Sequence, residues 1–261
     1  MANLIPVRNN SGEIRLCVDL RNLNKASIKD NYPLPKMDQM LQKVIGAERI
    51  SMLNGFSGYN QVRVDPEYVL KTTFTALWGT FAYVRMPFGL MNAGATFQRA
   101  MDYAFADIKD QFIVIYLDDM TVFSKRAVDH LEHLEQVFVR CRKFGISLNP
   151  NKSFFGMVEG KLLGHIVSSL GVQIYPKIVE AINTIPLPRH KKALQSFFGK
   201  INFLRAKPLS LHRRGRIFIP NFAELTKHMT AMFQKDSDLN WDDPAQESFR
   251  AIKKALGKLL F

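Results

Sequence analysis

Apolar and polar positions along the chain change period several times, and each change marks an element. Glu13 to Leu20 alternates with period two, the pattern of a half-buried strand. Pro33-Leu34-Pro35 interrupts it, and Met37, Met40, Leu41 and Val44 then recur at helical spacing within Lys36 to Val44. Thr72 to Phe81 predicts strand, turn at Trp78-Gly79, strand. Phe97, Met101 and Phe105 share one face of a helix expected over Ala93 to Phe105. Phe112 to Tyr116 and Met120 to Phe123 are short apolar runs separated by Leu117-Asp118-Asp119, the signature of a hairpin.

Leu131, Leu134, Phe138, Cys141 and Phe144 form a helical stripe that Gly145 should stop. On this pattern His130 and His133 lie beside the stripe as solvated residues, with no third ligand to make them a metal pair. Leu162 to Val167 predicts another strand, in which His165 packs. From Pro176 onward the pattern is helical: one helix between Pro176 and Pro186, one through Leu194, Phe197, Phe198, Ile201 and Leu204, and one over Ala223 to Phe233. A last helix, with Asp243 as cap and Pro244 at its first position, runs through Phe249, Ile252, Leu256 and Leu259. The mixed order gives an α+β class, with a boundary near residue 175 and no internal repeat.

Composition narrows the function. With 47% hydrophobic and 23% charged residues, the 261-residue chain has enough apolar surface to fold. No apolar run approaches the ~20 residues of a bilayer span, and Met1 to Asn10 has no apolar leader core. Two cysteines, Cys17 and Cys141, fit free thiols in a reducing, intracellular setting, without separating cytoplasm from nucleus. The net charge of +13 is uneven: +1 over residues 1–120, +3 over 121–175 and +9 over 176–261. Such a surplus suits a polyanion, nucleic acid before membrane; a solvated helical surface is the alternative.

Adjacent aspartates at a hairpin tip present one carboxylate to a cleft and hold the other beside it, an arrangement suited to Mg²⁺. Taken alone, Asp118-Asp119 reads first as an ordinary exposed turn. Tyr116-Leu117-Asp118-Asp119 after an apolar strand, however, resembles the active-site signature of reverse transcriptases. Arg15 to Lys25 (Arg-Leu-Cys-Val-Asp-Leu-Arg-Asn-Leu-Asn-Lys), Tyr32-Pro33-Leu34-Pro35, Met86 to Gln98 and Leu163-Gly164-His165 resemble further motifs of that family in the expected order. The wording is similar to gypsy-type long-terminal-repeat retrotransposon polyproteins, from about Leu4 to Leu256.

The resemblance implies a right-hand polymerase fold, with partial fingers plus palm over residues 1–175 and a helical thumb or connection segment over 176–261. It implies RNA- or DNA-templated transfer from deoxynucleoside triphosphates onto a primer, with a two-metal Mg²⁺ site at Asp118 and Asp119. Arg15 would reach the triphosphate, Tyr59 would sit under the sugar, and Phe88, Gly89 and Gln98 would line the nucleotide pocket. Lys152 would protonate the leaving pyrophosphate, with a turn lysine as its plain alternative.

Three departures from the family pattern stand out. The family places an aspartate five residues before the tyrosine, where this chain has Asn54; Glu48 and Asp65 are out of register to replace it. An amide oxygen brings no negative charge to a site of dications and phosphates, so this copy is expected to be impaired. Asn54-Gly55 is also a sequence prone to deamidation, which would make an aspartate. The second departure is a shorter fingers segment before Leu4. The third is a basic insertion at about 206–217 (Lys207, His212, Arg213, Arg214 and Arg216), expected to be a solvated loop rather than an RNA-binding arm. Ribonuclease H is expected to be absent. A non-catalytic nucleic-acid-binding relic and an unselected retroelement fragment are the alternatives to a polymerase.

Overall fold

The computed structural model describes residues 2–8, 12, 14–202, 222–233, 239 and 241–257. It divides into two compact units, one of residues 1–35 and 49–157 and one of residues 36–48 and 158–261. The basic insertion at about 206–217 lies outside the described residues, as do Leu204 and Leu259.

Two four-stranded sheets build the first unit. One has the order β2-β1-β4-β5, from strands β1 (Ala2–Arg8), β2 (Ile14–Val18), β4 (Phe74–Ala76) and β5 (Gly79–Phe81). The other has the order β6-β7-β3-β8, from β3 (Arg49–Asn54), β6 (Ile113–Tyr116), β7 (Asp119–Ser124) and β8 (Phe154–Met157). Helices α1 (Arg21–Ala26), α3 (Pro66–Val69), α4 (Ala93–Ala104) and α5 (His130–Phe144) complete it.

The expected β2, the β4–β5 hairpin, α4 and the β6–β7 hairpin all form. β1 and β8 carried too weak an alternation to be predicted. β1 even contains Pro6, and the register explains why it is tolerated. Asp19 donates its N–H to Asn3 O at 2.9 Å, so by alternation the nitrogen of Pro6, opposite Leu16, points away from β2. On that side β1 pairs with β4 only at Ala2 and Asn3, so no ladder bond is lost.

The core of this unit lies between the second sheet and helices α4 and α5. Phe97, Met101 and Phe105 from α4 pack with Ile113, Ile115, Met120 and Val122 of the hairpin and with Leu134, Val137 and Cys141 of α5. Gly145 ends α5 in the left-handed region (φ +66°), with Ile146 N–H bonded to Cys141 O at 2.8 Å, a Schellman closure.

The face of α5 differs from expectation. Leu131 is 80% exposed, whereas His130 is 4% exposed and takes the inward position with Leu134, Val137 and Cys141. Hydroxyls make this possible: His130 Nε2 bonds Ser51 Oγ on β3, and His130 Nδ1 bonds Ser124 Oγ on β7, both at 2.7 Å. His133 Nδ1 also bonds Ser124 Oγ, at 2.8 Å, and its ring stacks on Phe112 with centroids 4.1 Å apart. His130 is therefore buried and His133 half-buried, and both are partnered rather than free in solvent. A buried polar side chain needs such partners.

The second unit holds α2 (Met37–Val44), a sheet of order β11-β10-β9 and helices α6 (Pro176–Asn183), α7 (Lys191–Asn202), α8 (Phe222–Ala231) and α9 (Asp243–Gly257). Its strands are β9 (Glu159–Leu162), β10 (His165–Ser168) and β11 (Gly171–Ile174), all antiparallel. The single strand expected over Leu162 to Val167 is two strands around a turn, because Leu163 and Gly164 adopt φ of +47° and +83°. His165 is fully buried, as its packing role requires. Asp242, rather than Asp243, caps α9: its Oδ1 accepts the Ala245 N–H at 2.9 Å. No helix among the described residues is long and apolar enough to cross a membrane.

Candidate active site

The last residue of β3 and the first of β7 define the site. Antiparallel pairing places Asn54 opposite Asp119, while Tyr116 pairs with Asp119 across the two-residue turn Leu117-Asp118. Leu117 takes φ +53°, which turns the chain sharply enough to give the two aspartates different surroundings. Asn54 Nδ2 donates to Asp119 Oδ1 at 3.1 Å. Gly55 N–H donates to Asp118 O at 2.9 Å, tying the β3 exit to the hairpin tip.

Asp118 is the more enclosed of the pair. Its Oδ1 is buried and has no hydrogen-bond partner among the described residues. Burial, followed by the Asp119 charge, pushes its carboxyl above the usual range, and Lys152 pulls in the opposite direction. Room for it depends on Gly58, since a Cβ there would sit 2.3 Å from Asp118 Oδ1 and 3.1 Å from Phe97 Cζ. Ser57, at φ +49°, sets the turn that delivers Gly58 and Tyr59 to this position.

Tyr59 packs against Phe88 at 5.2 Å and edge-on to Phe97 at 5.5 Å. Burial, with Asp118 nearby, raises its phenol above the ordinary value, so it stays protonated. Phe88 is 56% exposed, in a turn held by Asn24 of α1: Nδ2 donates to Gly89 O and Oδ1 accepts the Met91 N–H, both at 2.8 Å. Gly89 adopts φ +95° there. Lys152 lies in the Pro150–Lys152 turn, whose approach is fixed by Asn149 N–H donating to Asn54 O at 2.8 Å. An open groove of about 790 Å³ is lined by Cys17, Asn54, Tyr83, Phe88, Asp118 and Lys152 among others.

Asn54, Phe88, Asp118 and Lys152 thus line one groove; Asp119 adjoins it through its bond with Asn54, Tyr59 through its packing on Phe88, and Gly89 as the next residue of the Phe88 turn. Gln98 departs from its expected place. It is 0% exposed, so it touches the turn from beneath rather than lining the pocket. Its Oε1 accepts the Leu117 N–H at 2.8 Å. Arg15 occupies the β2 position opposite Val7, and its side chain lies outside the described residues. Gly58, Asn24 and Gln61 were not singled out from sequence. Gln61 joins the two walls by bonding Phe56 O and Ser147 O, at 2.6 and 3.0 Å. Only the Gly55-x-x-Gly58 spacing after the strand hinted at the first of them.

Mg²⁺ is the cofactor implied for such a site. A buried carboxylate oxygen without a donor, beside a second carboxylate, is chemistry that a hard divalent cation suits. Among the described residues no group of three His, Cys, Asp or Glu side chains that could hold a metal assembles, and the side chain facing Asp119 from β3 is the Asn54 amide.

Comparison with known proteins gives the family and the fold. The family described as "Reverse transcriptase (RNA-dependent DNA polymerase)" matches residues 7–167. The retrovirus-related Pol polyprotein from transposon 297 of Drosophila melanogaster is 33% identical over 249 residues, which cover 95% of this chain and 22% of that protein. The transposon 412 polyprotein of the same organism is 31% identical, covering 93% and 19%. The transposon Tf2-3 polyprotein of Schizosaccharomyces pombe is 28% identical, covering 94% and 18%. The chain therefore spans about a fifth of the length of these relatives.

Among solved structures, the foamy viral protease-reverse transcriptase dRH in complex with double-stranded DNA superposes with a TM-score of 0.84 at 23% identity, covering 98% of this chain and 44% of that one. The foamy viral protease-reverse transcriptase in complex with an RNA/DNA hybrid gives 0.78 at the same identity, covering 98% and 33%. The likeness fixes the fold, a mixed α+β arrangement of the fingers–palm type. With the family matching more than half of its length, the chain belongs to the reverse transcriptase (RNA-dependent DNA polymerase) family, as a domain of retrotransposon polyprotein type.

Proposed function

We propose that the groove takes a primer–template end and a deoxynucleoside triphosphate for templated nucleotidyl transfer, and that this copy performs the reaction weakly. The observation that carries the reading is the Asn54–Asp119 register, which puts a neutral amide where the resemblance calls for a third carboxylate. Asp118 and Asp119 would hold Mg²⁺, with the Asn54 amide oxygen as a neutral third donor. When bound, the cation would supply charge neutralisation for the phosphates and the attacking hydroxyl.

The remaining work falls to the chain. Tyr59, wedged against Phe88 and Phe97, presents a fixed surface for the sugar. Phe88 offers an exposed ring to stack or pack on the nucleotide. Lys152 can give a proton to the departing pyrophosphate, and its charge offsets negative charge in the groove before substrate arrives. Arg15 belongs to the triphosphate contact on the strength of its motif. The fingers–palm assignment of residues 1–175 and the thumb or connection assignment of 176–261 are part of the same reading.

If one missing charge removes about 4 kcal/mol of transition-state stabilisation, turnover falls roughly a thousandfold. The reading is tested by extension of an oligo(dT) primer on poly(rA) with Mg²⁺ by the Asn54→Asp variant. Extension that disappears on adding Asp118→Ala supports it; an inert Asn54→Asp protein that binds the duplex contradicts it. That outcome would favour the second reading, a non-catalytic nucleic-acid binder, for which the +9 charge of residues 176–261 argues.

A further inference from the structure

The turn that carries Asp118 is anchored on its buried side by an amide that cannot orient itself. Gln98 presents an acceptor at one end and donors at the other, and the two ends are similar in size. Leu117 N–H needs the acceptor, so the Gln98 Nε2 end must meet acceptors elsewhere. It does so at Asp102 Oδ1, 3.0 Å away, and at Ile115 O, 3.3 Å away. Asp102, one helical turn further along α4, has two acceptor oxygens, and both take donors from the surrounding chain. Lys109 Nζ donates to Oδ1 at 2.7 Å, and the Tyr32 hydroxyl donates to Oδ2 at 2.7 Å.

We propose that Asp102 is a positioning residue for Asp118: it fixes the direction of the Gln98 amide, which in turn holds the Leu117 N–H and the left-handed turn that aims the carboxylate. Asp118 needs this help because its buried oxygen has no donor of its own among the described residues. The turn is pinned from two sides, by Gly55 N–H on Asp118 O and by Gln98 on Leu117. Loss of the second pin leaves Leu117 at φ +53° without its partner. The inference rests on reading Asp118 as the metal-binding carboxylate.

Exchanging the two groups tests the direction of the network without metal or substrate. Asp102→Ala removes the acceptor that sets the direction of the amide, whereas Asp102→Asn alone can keep it, with its oxygen on Gln98 Nε2 and Lys109 and its N–H on the Tyr32 hydroxyl. Gln98→Glu alone sets two carboxylates against each other. Gln98→Glu combined with Asp102→Asn restores the order, because the carboxylate introduced at position 98 accepts both from the amide introduced at position 102 and from the Leu117 N–H. Hydrogen exchange and the amide resonance of Leu117 are read by NMR, with urea unfolding as the control for global stability. The single variants Asp102→Ala and Gln98→Glu should each exchange at Leu117 at least about tenfold faster, the loss of one buried bond of about 1.4 kcal/mol. The double variant should return to within about threefold of the parent.

Unchanged Leu117 exchange in Asp102→Ala, or a double variant no better protected than the singles, overturns the proposal. Should a single variant fail to fold, the double variant decides: restored protection supports the relay, and lost protection refutes it. Neither result depends on polymerase activity, so failure here and failure of the proposed function are distinguishable.

Discussion

Asn54 and Asp119 face each other across the β3–β7 ladder, and the Asn54 amide donates to the Asp119 carboxylate at 3.1 Å. An N–H on that carboxylate replaces the repulsion that two facing aspartates would feel. Without a cation, the amide makes the cluster more stable; with one, it removes a negative charge. The consequences reach from pH behaviour to chemical ageing.

Asp118 is half-buried, and its Oδ1 is enclosed without a hydrogen-bond partner among the described residues. Because its folded-state carboxyl lies above the ordinary value of 3.8, the folded protein binds the proton more tightly than the unfolded chain. Stability is therefore full below about 3.8 and declines as pH rises through the folded value. Asp118→Asn should raise Tm by a few degrees at pH 7 and leave it near the parent's below that point, measured by calorimetry in the absence of divalent ions.

Gly58→Ala should cost about 1–3 kcal/mol, as overpacking does. The added methyl would lie 2.3 Å from Asp118 Oδ1, so much of the loss should vanish when Asp118→Ala is combined with it. Urea unfolding of the four proteins measures that coupling; purely additive losses would place the clash elsewhere.

His130 should make the fold acid-sensitive. Burial first, then the His133 and Arg49 charges, holds its imidazole below the ordinary 6.5. A depressed folded value means stability present above 6.5 and lost as pH falls below it. His130→Gln should be less stable than the parent by about 1–3 kcal/mol at pH 7.5, from its two serine bonds, with the gap narrowing towards pH 5. Parallel denaturation curves across that range give the comparison.

Much of this arrangement could be read from the chain before any coordinates. α4 and the β6–β7 hairpin announce themselves through apolar spacing, and Asn54 stands out because the strand before it ends in register with the tyrosine motif. α5 misled because apolar periodicity gives no weight to histidine: His130 goes inside once Ser51 and Ser124, 79 and six residues away, supply hydroxyls. Gln98 misled for a similar reason. A polar residue in a nucleotide-pocket motif suggests ligand contact, yet its partner is a backbone N–H 19 residues on. β1 escaped notice because Pro6 argues against a strand until pairing shows which side its nitrogen faces. Long-range polar partners are what local pattern cannot supply.

Deamidation at Asn54-Gly55 should be confined to unfolded protein. The reaction needs the Gly55 nitrogen to attack the Asn54 side chain, and in the fold that N–H is bonded to Asp118 O at 2.9 Å. Peptide mapping after alkaline incubation should find a mass gain of about one dalton in urea and little in native buffer. Equal gain in both would show that this bond opens freely.

The most direct measurement is the rate of single-nucleotide incorporation by the unaltered chain and its Asn54→Asp variant, side by side, on one primer–template at saturating Mg²⁺. The account predicts a gain of roughly a thousandfold for the variant, corresponding to about 4 kcal/mol restored by one carboxylate. Equal rates from the two proteins, at an ordinary polymerase turnover, would contradict it.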